Sequence, residues 1–112
     1  MVEDDILLRL AAVDAIERTG LPVYEANGAD EAIRMLEQHA NIRIVFTDIN
    51  MPGSMDGIRL AHCVRDRWPP VKFIVTSGLV KVREGELPEG SLFIGKPYSP
   101  DTVLKRIKQL AA

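Results

Sequence analysis

The sequence predicts a doubly wound α/β fold, and three observations lead to this prediction. Helical and strand-like patterns alternate along nearly the whole chain. The strand-like runs are short, apolar and rich in β-branched residues, which is typical of strands covered by helices on both faces. A length of 112 residues with 46% hydrophobic and 27% charged residues suits a single core. We therefore expect one domain over residues 1–112, with no output domain, built on a parallel sheet with right-handed crossovers.

The first half of the chain contains two predicted helices and two predicted strands. A broad apolar face runs over residues 6–19, and Gly20 is placed to end that helix. The short run 21–26 predicts a strand followed by a turn. Apolar residues at helical spacing predict a second helix within 30–39, and the β-branched run 42–47 predicts an interior strand.

The second half repeats this order. Residues 58–64 carry another helical face, the run 71–76 predicts a strand, and the run 92–94 predicts a shorter one. Ser99 is a candidate cap and Pro100 a candidate first residue for the last helix, which has apolar residues at regular spacing.

One segment, Gly78 to Gly90, departs from the alternation. It occupies the place of the fourth crossover helix, yet it contains Gly85 and Pro88 and has no regular apolar stripe. We expect at most a short, irregular fourth helix there.

Composition narrows the class of protein. The formal net charge is −2, which argues against a module that binds nucleic acid or a membrane surface through excess positive charge. The single cysteine cannot form an internal disulfide, and no apolar run is long enough to span a bilayer. A cytoplasmic location is the simplest expectation.

Chemically active residues follow four short apolar runs, which are Met1-Val2, Phe46-Thr47, Ile74-Val75 and Phe93-Ile94. Because ligands bind beyond the carboxyl ends of the strands in doubly wound sheets, these residues are expected to share one rim. They are Glu3, Asp4 and Asp5, then Asp48, then Thr76 and Ser77, and last Lys96.

This combination indicates phosphoryl transfer. Carboxylates crowded on one rim repel each other unless a cation lies among them, and Mg²⁺ prefers such oxygen ligands. A lysine and a hydroxyl on the same rim suit a tetrahedral anion beside the metal. The carboxylate of Asp48 is the candidate nucleophile and would form an acyl phosphate.

Four segments in this order and spacing resemble the receiver domain of two-component response regulators, over practically the whole chain. The segments are Val2-Glu3-Asp4-Asp5, Phe46-Thr47-Asp48-Ile49-Asn50-Met51-Pro52, Val75-Thr76-Ser77-Gly78 and Gly95-Lys96-Pro97-Tyr98. The resemblance implies a flavodoxin-like strand order 2-1-3-4-5. It also implies that Asp48 accepts a phosphoryl group from a sensor histidine kinase or a phosphotransfer protein.

The resemblance assigns a metal site and a switch. Asp4 would bind Mg²⁺ directly, and Glu3 would help through water or as a hydrogen-bond acceptor. Asp48 and the backbone carbonyl of Asn50 would complete the protein ligands. The remaining roles are distributed along the rim. Lys96 would pair with Asp48 and then with a phosphoryl oxygen, and a cis peptide bond to Pro97 would orient the lysine. Thr76 would turn its hydroxyl toward the phosphoryl group, and Phe93 would follow it inward. Ser77 would be a small residue that keeps the pocket open.

The start of the chain departs from the family pattern. Family members have about four or five more apolar residues ahead of the acids, so the first strand is expected to be truncated or missing. Four buried apolar side chains contribute about 6–12 kcal/mol, which is comparable to the net stability of a whole domain. We therefore expect a partner chain or a rearranged sheet to cover the gap.

Two other functions compete with an active phosphoacceptor switch. A Mg²⁺ phosphatase with an aspartyl phosphate would need a second acid where this chain has Asn50. A pseudo-receiver that binds protein without taking phosphate is the remaining alternative. The favoured interpretation is a switch rather than a turnover enzyme, which catalyses its own phosphorylation and the slow hydrolysis of its phosphate. The sequence does not identify the downstream effector, and it leaves homodimer formation as one option.

Overall fold

A computed structural model describes residues 1–2, 6–49, 56–78, 87–88, 90–96 and 98–111. None of the helices in these ranges has both the length and the apolar character that a bilayer crossing requires. The elements are α1 (Ile6–Glu17), α2 (Ala29–Gln38), β1 (Ile44–Asp48), α3 (Gly57–Arg67), β2 (Lys72–Ser77), β3 (Leu92–Gly95) and α4 (Pro100–Ala111).

The three regular strands form a parallel sheet in the order β1-β2-β3. Val2 extends this sheet beyond β1, because it makes parallel bridges to both Thr47 and Ala26. The segments in spatial order are therefore residues 21–26, residues 1–2, β1, β2 and β3. This is the order 2-1-3-4-5 when the two N-terminal segments are counted as strands, so the predicted fold class is confirmed.

Two helical layers cover the sheet, one on each face. On one face, α2 and α3 pack against Val45, Phe73 and Val75. On the other face, α1 and α4 pack against Phe46 and Ile74. Successive strand residues point to opposite faces, so β1 and β2 each contribute to both layers, while the packed residues of β3 belong to the α1–α4 layer.

Local signals in the sequence explain where the helices begin and end. Gly20, just after α1, has φ +90°, a left-handed conformation that glycine adopts without steric cost. Asp56 caps α3 by accepting a hydrogen bond from Arg59 N at 2.9 Å. Ser99 caps α4 in the predicted way, because its hydroxyl accepts from Thr102 N at 3.2 Å.

The predicted strand over 21–26 is the main difference from the sequence-based expectation. Only Ala26 has a bridge partner there, and that partner is Val2. A regular strand needs a ladder of partners, and the neighbouring segment supplies only Met1 and Val2 in the described chain. The sheet is not rearranged, since Val2 still lies between its two neighbours.

The expected irregular fourth helix falls on Gly78 to Gly90, and residues 79–86 and 89 lie outside the described residues. Of the residues that are described there, Leu87 packs against the α2–α3 core and Pro88 is buried. Gly90 has φ +86°.

Candidate functional site

Asp48 is the last residue of β1 and lies at the carboxyl edge of the sheet. It is only 5% exposed although its side chain is a carboxylate. Its backbone N–H donates to the carbonyl oxygen of Val2 at 3.1 Å, which fixes the strand end beside the beginning of the chain. A buried carboxylate is costly unless it is paired, so the residues around Asp48 determine what it can do.

Lys96 is a partner of that carboxylate. Its Nζ lies 2.7 Å from Asp48 Oδ2, and the two side chains are 21% and 7% exposed. Lys96 directly follows β3, and its backbone N–H donates to the carbonyl oxygen of Ser77 at 3.2 Å. The parallel register therefore brings a lysine that is 48 residues away in sequence onto the nucleophile candidate. A charge-assisted hydrogen bond of this length is among the stronger polar contacts in proteins.

Thr76 lies beside Asp48 on the next strand. The two residues are Cα partners in the β1–β2 ladder, and partners in a parallel ladder point to the same face. Thr76 is fully buried, and its hydroxyl has no hydrogen-bond partner within the described chain. A buried polar atom without a partner costs about 1–3 kcal/mol, so it marks a place where a ligand atom would be stabilised.

Ser77 and Phe93 occupy neighbouring positions. Ser77 is the last residue of β2 and is 3% exposed, so it is buried at the carboxyl edge of the sheet. Phe93 is paired with Val75 and is 41% exposed, which places it outside the core. The inward movement of Phe93 that the resemblance implies stays a prediction.

Gly57 is a residue of the site that sequence reasoning did not single out. A Cβ atom at this position would collide with the backbone carbonyl oxygen of Asp48. Gly57 N also donates to Ile49 O at 2.9 Å, so the first turn of α3 is held against the end of β1. The available signal was the pair Asp56-Gly57, in which a capping residue precedes a residue without a side chain.

The remaining candidates lie outside the described residues. They are the metal-ligand candidates Glu3, Asp4 and Asn50, and the proline after the site lysine, Pro97. Within the described part of the chain, no three His, Cys, Asp or Glu residues form a cluster that could hold a metal ion. The predicted donors are carboxylates and one backbone carbonyl, an all-oxygen set that suits Mg²⁺. Val2, which is bonded to the Asp48 backbone, directly precedes the two acids in the sequence.

The arrangement has the parts needed to take up a tetrahedral anion on a carboxylate. Asp48 offers a carboxylate oxygen, and Lys96 offers a positive charge at hydrogen-bond distance from it. Thr76 offers a hydroxyl that has no hydrogen-bond partner in the described part of the chain. No histidine belongs to this group, so the arrangement does not resemble a serine hydrolase site.

Comparison with known proteins points to one family. The family model of the response regulator receiver domain matches residues 1–108. Among curated proteins, the chain is 32% identical to the sensor kinase CckA of Brucella abortus over 98% of this chain and 12% of that protein. It is also 32% identical to the transcriptional regulatory protein ResD of Bacillus subtilis, over 98% of this chain and 46% of that protein. The chain thus spans less than half the length of both relatives.

Solved structures give the same result for the fold. The crystal structure of the receiver domain from hybrid histidine kinase CckA has a TM-score of 0.84 at 28% identity, covering 99% of this chain and 95% of that one. A putative two-component system response regulator/GGDEF domain protein has a TM-score of 0.86 at 29% identity, covering 98% of this chain and 46% of that one.

Proposed function

This chain belongs to the response regulator receiver domain family, and on that premise we propose that it is a phosphoacceptor switch. Asp48 takes a phosphoryl group from the phosphohistidine of a sensor histidine kinase or a phosphotransfer protein. The observation that carries the proposal is the 2.7 Å contact of Lys96 Nζ with Asp48 Oδ2, next to Thr76, whose hydroxyl has no hydrogen-bond partner among the described residues. A structural ion pair alone would not require that hydroxyl.

In the proposed reaction, one carboxylate oxygen of Asp48 forms a bond to phosphorus while the phosphorus–nitrogen bond of the donor breaks. Lys96 moves from the carboxylate to a phosphoryl oxygen and balances part of the new charge. The Thr76 hydroxyl donates to another phosphoryl oxygen and gains the partner that it lacks. Asp4, Asp48 and the backbone carbonyl of Asn50 would hold Mg²⁺, with Glu3 helping through water or as a hydrogen-bond acceptor, and the bound ion would supply charge neutralisation.

The product of this chemistry is a changed surface rather than a released compound. A phosphoryl group adds about two negative charges at a position that is 5% exposed. Rearrangement of Thr76 and inward movement of Phe93 would carry that change to the exposed edge of β3. The chain therefore acts as a switch that slowly catalyses hydrolysis of its own aspartyl phosphate. Its place of action is the cytoplasm, where the free thiol of Cys63 is stable.

Phosphorylation by a small donor tests the proposal. The chain is incubated with Mg²⁺ and acetyl phosphate, and its intact mass is measured. We expect one phosphoryl adduct that is lost in Asp48→Asn, is retained in Asp66→Asn, and is absent when EDTA replaces Mg²⁺. Asp66 is a matched control because it is an exposed aspartate on α3.

Absence of an adduct at saturating donor concentration, with the chain folded, would contradict the proposal. That result would favour the pseudo-receiver alternative, a module that binds a partner without taking phosphate.

A further inference from the structure

A two-residue connection, Asn27-Gly28, joins two buried alanines. Ala26 is 3% exposed and bridges to Val2, while Ala29 is 2% exposed and is the first residue of α2. Both alanines belong to the α2–α3 core. Between them, Asn27 is exposed and Gly28 is half-buried. Water therefore reaches the Asn27 side chain, while the core holds both ends of the connection.

The two groups of this pair that can react with each other are not engaged in the described part of the chain. Neither the Asn27 side chain nor the backbone N–H of Gly28 makes a hydrogen bond to a described residue. Gly28 has extended backbone, and its carbonyl oxygen accepts from Ala32 N at 3.0 Å. Glycine has no side chain that could shield its own nitrogen. A side-chain amide thus lies next to an unshielded backbone nitrogen.

Asn41 provides a contrast within the same molecule. It is also exposed, but its side chain is hydrogen-bonded to the Tyr24 hydroxyl at 3.2 Å. The residue after it is Ile42, whose β-branched side chain crowds the backbone nitrogen beside it. The sequence contains no other Asn-Gly pair than Asn27-Gly28. The two asparagines therefore differ in both features that control attack of a backbone nitrogen on a side-chain amide.

We propose that Asn27 is a site of spontaneous deamidation, which converts it to a mixture of aspartate and isoaspartate with water as the co-reactant. Gly28 N gives its proton to solvent base and forms a bond to Cγ of Asn27. The bond between Cγ and the side-chain nitrogen breaks, ammonia leaves with a proton from solvent, and a cyclic succinimide remains. Water then opens the ring. Cleavage of the bond from Gly28 N to Cγ gives aspartate, and cleavage of the bond from Gly28 N to the backbone carbonyl carbon of residue 27 gives isoaspartate.

The fold makes the two products differ in stability. Aspartate leaves the main chain unchanged and adds a negative charge beside the N-terminus of α2, where negative charge is favourable and Asp30 already lies in the first turn. Isoaspartate routes the main chain through Cβ and Cγ of residue 27, which inserts one methylene group between Ala26 and Ala29. Because the core fixes both alanines, the longer connection displaces Ala26 from its bridge to Val2 or Ala29 from the start of α2.

Ageing of the chain in water enriched in oxygen-18 tests the proposal. The chain is kept at pH 8.5 and 37 °C, digested, and sequenced by electron-based fragmentation, which distinguishes isoaspartate from aspartate. We expect conversion at Asn27 to be at least roughly tenfold faster than at Asn41, with one oxygen-18 atom in each product and isoaspartate among them. Gly28→Ala keeps the asparagine and should slow its conversion by about tenfold; circular dichroism checks that the variant is folded, and the comparison with Asn41 needs no variant.

Thermal unfolding tests the predicted difference between the products. Asn27→Asp reproduces the aspartate form, and its midpoint should lie within about 3 °C of the parent chain. The isoaspartate form, separated from the aged chain by hydrophobic-interaction chromatography, should unfold more than about 5 °C lower.

Equal rates at Asn27 and Asn41 would overturn the proposal. Aspartate without isoaspartate would also overturn it, because direct hydrolysis of the side-chain amide bypasses the succinimide. An isoaspartate form as stable as Asn27→Asp would overturn the argument that the core fixes both ends of the connection. None of these readouts depends on phosphorylation, so they are independent of the proposed switch function.

Discussion

The free energy of unfolding of this chain is predicted to rise with pH between pH 6 and pH 8 because of the α-amino group of Met1. Burial lowers the pKa of this group from 8.0 to about 6; Glu25 opposes the shift and Arg9 adds to it. In that window the unfolded chain binds a proton at this amine and the folded chain does not, so raising the pH favours the folded state.

The size of this effect follows from the two pKa values, 8.0 and about 6. Two pKa units correspond to at most about 3 kcal/mol, with a slope of about 1 kcal/mol per pH unit near pH 7. This contribution is complete above pH 8 and is lost as the pH falls through 6. For a domain of this size, the unfolding midpoint should change by roughly 10 °C over the window.

The assay is urea denaturation at pH 5.5, 6.5, 7.5 and 8.5 in EDTA, on the chain with a free α-amino group and on the same chain acetylated at Met1. The acetylated chain is the control because it keeps every side chain and lacks only the ionisable amine. We expect the difference in unfolding free energy between the two chains to shrink or reverse as pH rises. Parallel pH profiles for the two chains would refute the reasoning.

Four substitutions test the packing of the core and the site by urea denaturation. Gly57→Ala should lower the free energy of unfolding by about 1–3 kcal/mol, because the new methyl group collides with the Asp48 carbonyl; an unchanged value would show that α3 shifts freely. Leu60→Ala should lower it by about 2–5 kcal/mol, because Leu60 is fully buried, whereas Leu7→Ala, at a site 76% exposed, should change it by less than about 0.5 kcal/mol. Thr76→Val should raise it by about 1 kcal/mol, because the buried hydroxyl has no partner in the described chain; a clear loss of stability would mean that the hydroxyl is already satisfied.

The regular strands and helices could be predicted because their signals are local. The β-branched run at 42–47 became β1, Ile44–Asp48, and the capping hydroxyl of Ser99 predicted the start of α4. The run at 21–26 has an equally strand-like sequence, but whether it forms a ladder depends on the segment beside it. Only Met1 and Val2 are available there in the described chain, and a local pattern does not contain that information.

The site could be predicted as a convergence of strand ends, but not in its contacts. Parallel strands bring Asp48, Thr76 and Lys96 to one edge whatever their rotamers. The 2.7 Å ion pair and the unpartnered Thr76 hydroxyl depend on side-chain packing, which periodicity does not determine. The position of Phe93 is of the same kind, since its 41% exposure places it outside the core. Gly57 was missed because its importance comes from the close approach of two backbones.

Chemical mapping of the phosphorylated residue tests the central claim most directly. Borohydride delivers a hydride to the carbonyl carbon of an acyl phosphate, and phosphate leaves to give the aldehyde. A second hydride and a proton convert this aldehyde to the alcohol, so the aspartate becomes homoserine. The chain is treated with Mg²⁺ and acetyl phosphate, reduced, digested and sequenced by mass spectrometry. Homoserine at position 48 alone is the predicted result. Homoserine at another aspartate, or a phosphoryl adduct that resists reduction, would contradict the assignment of Asp48 as the phosphoacceptor.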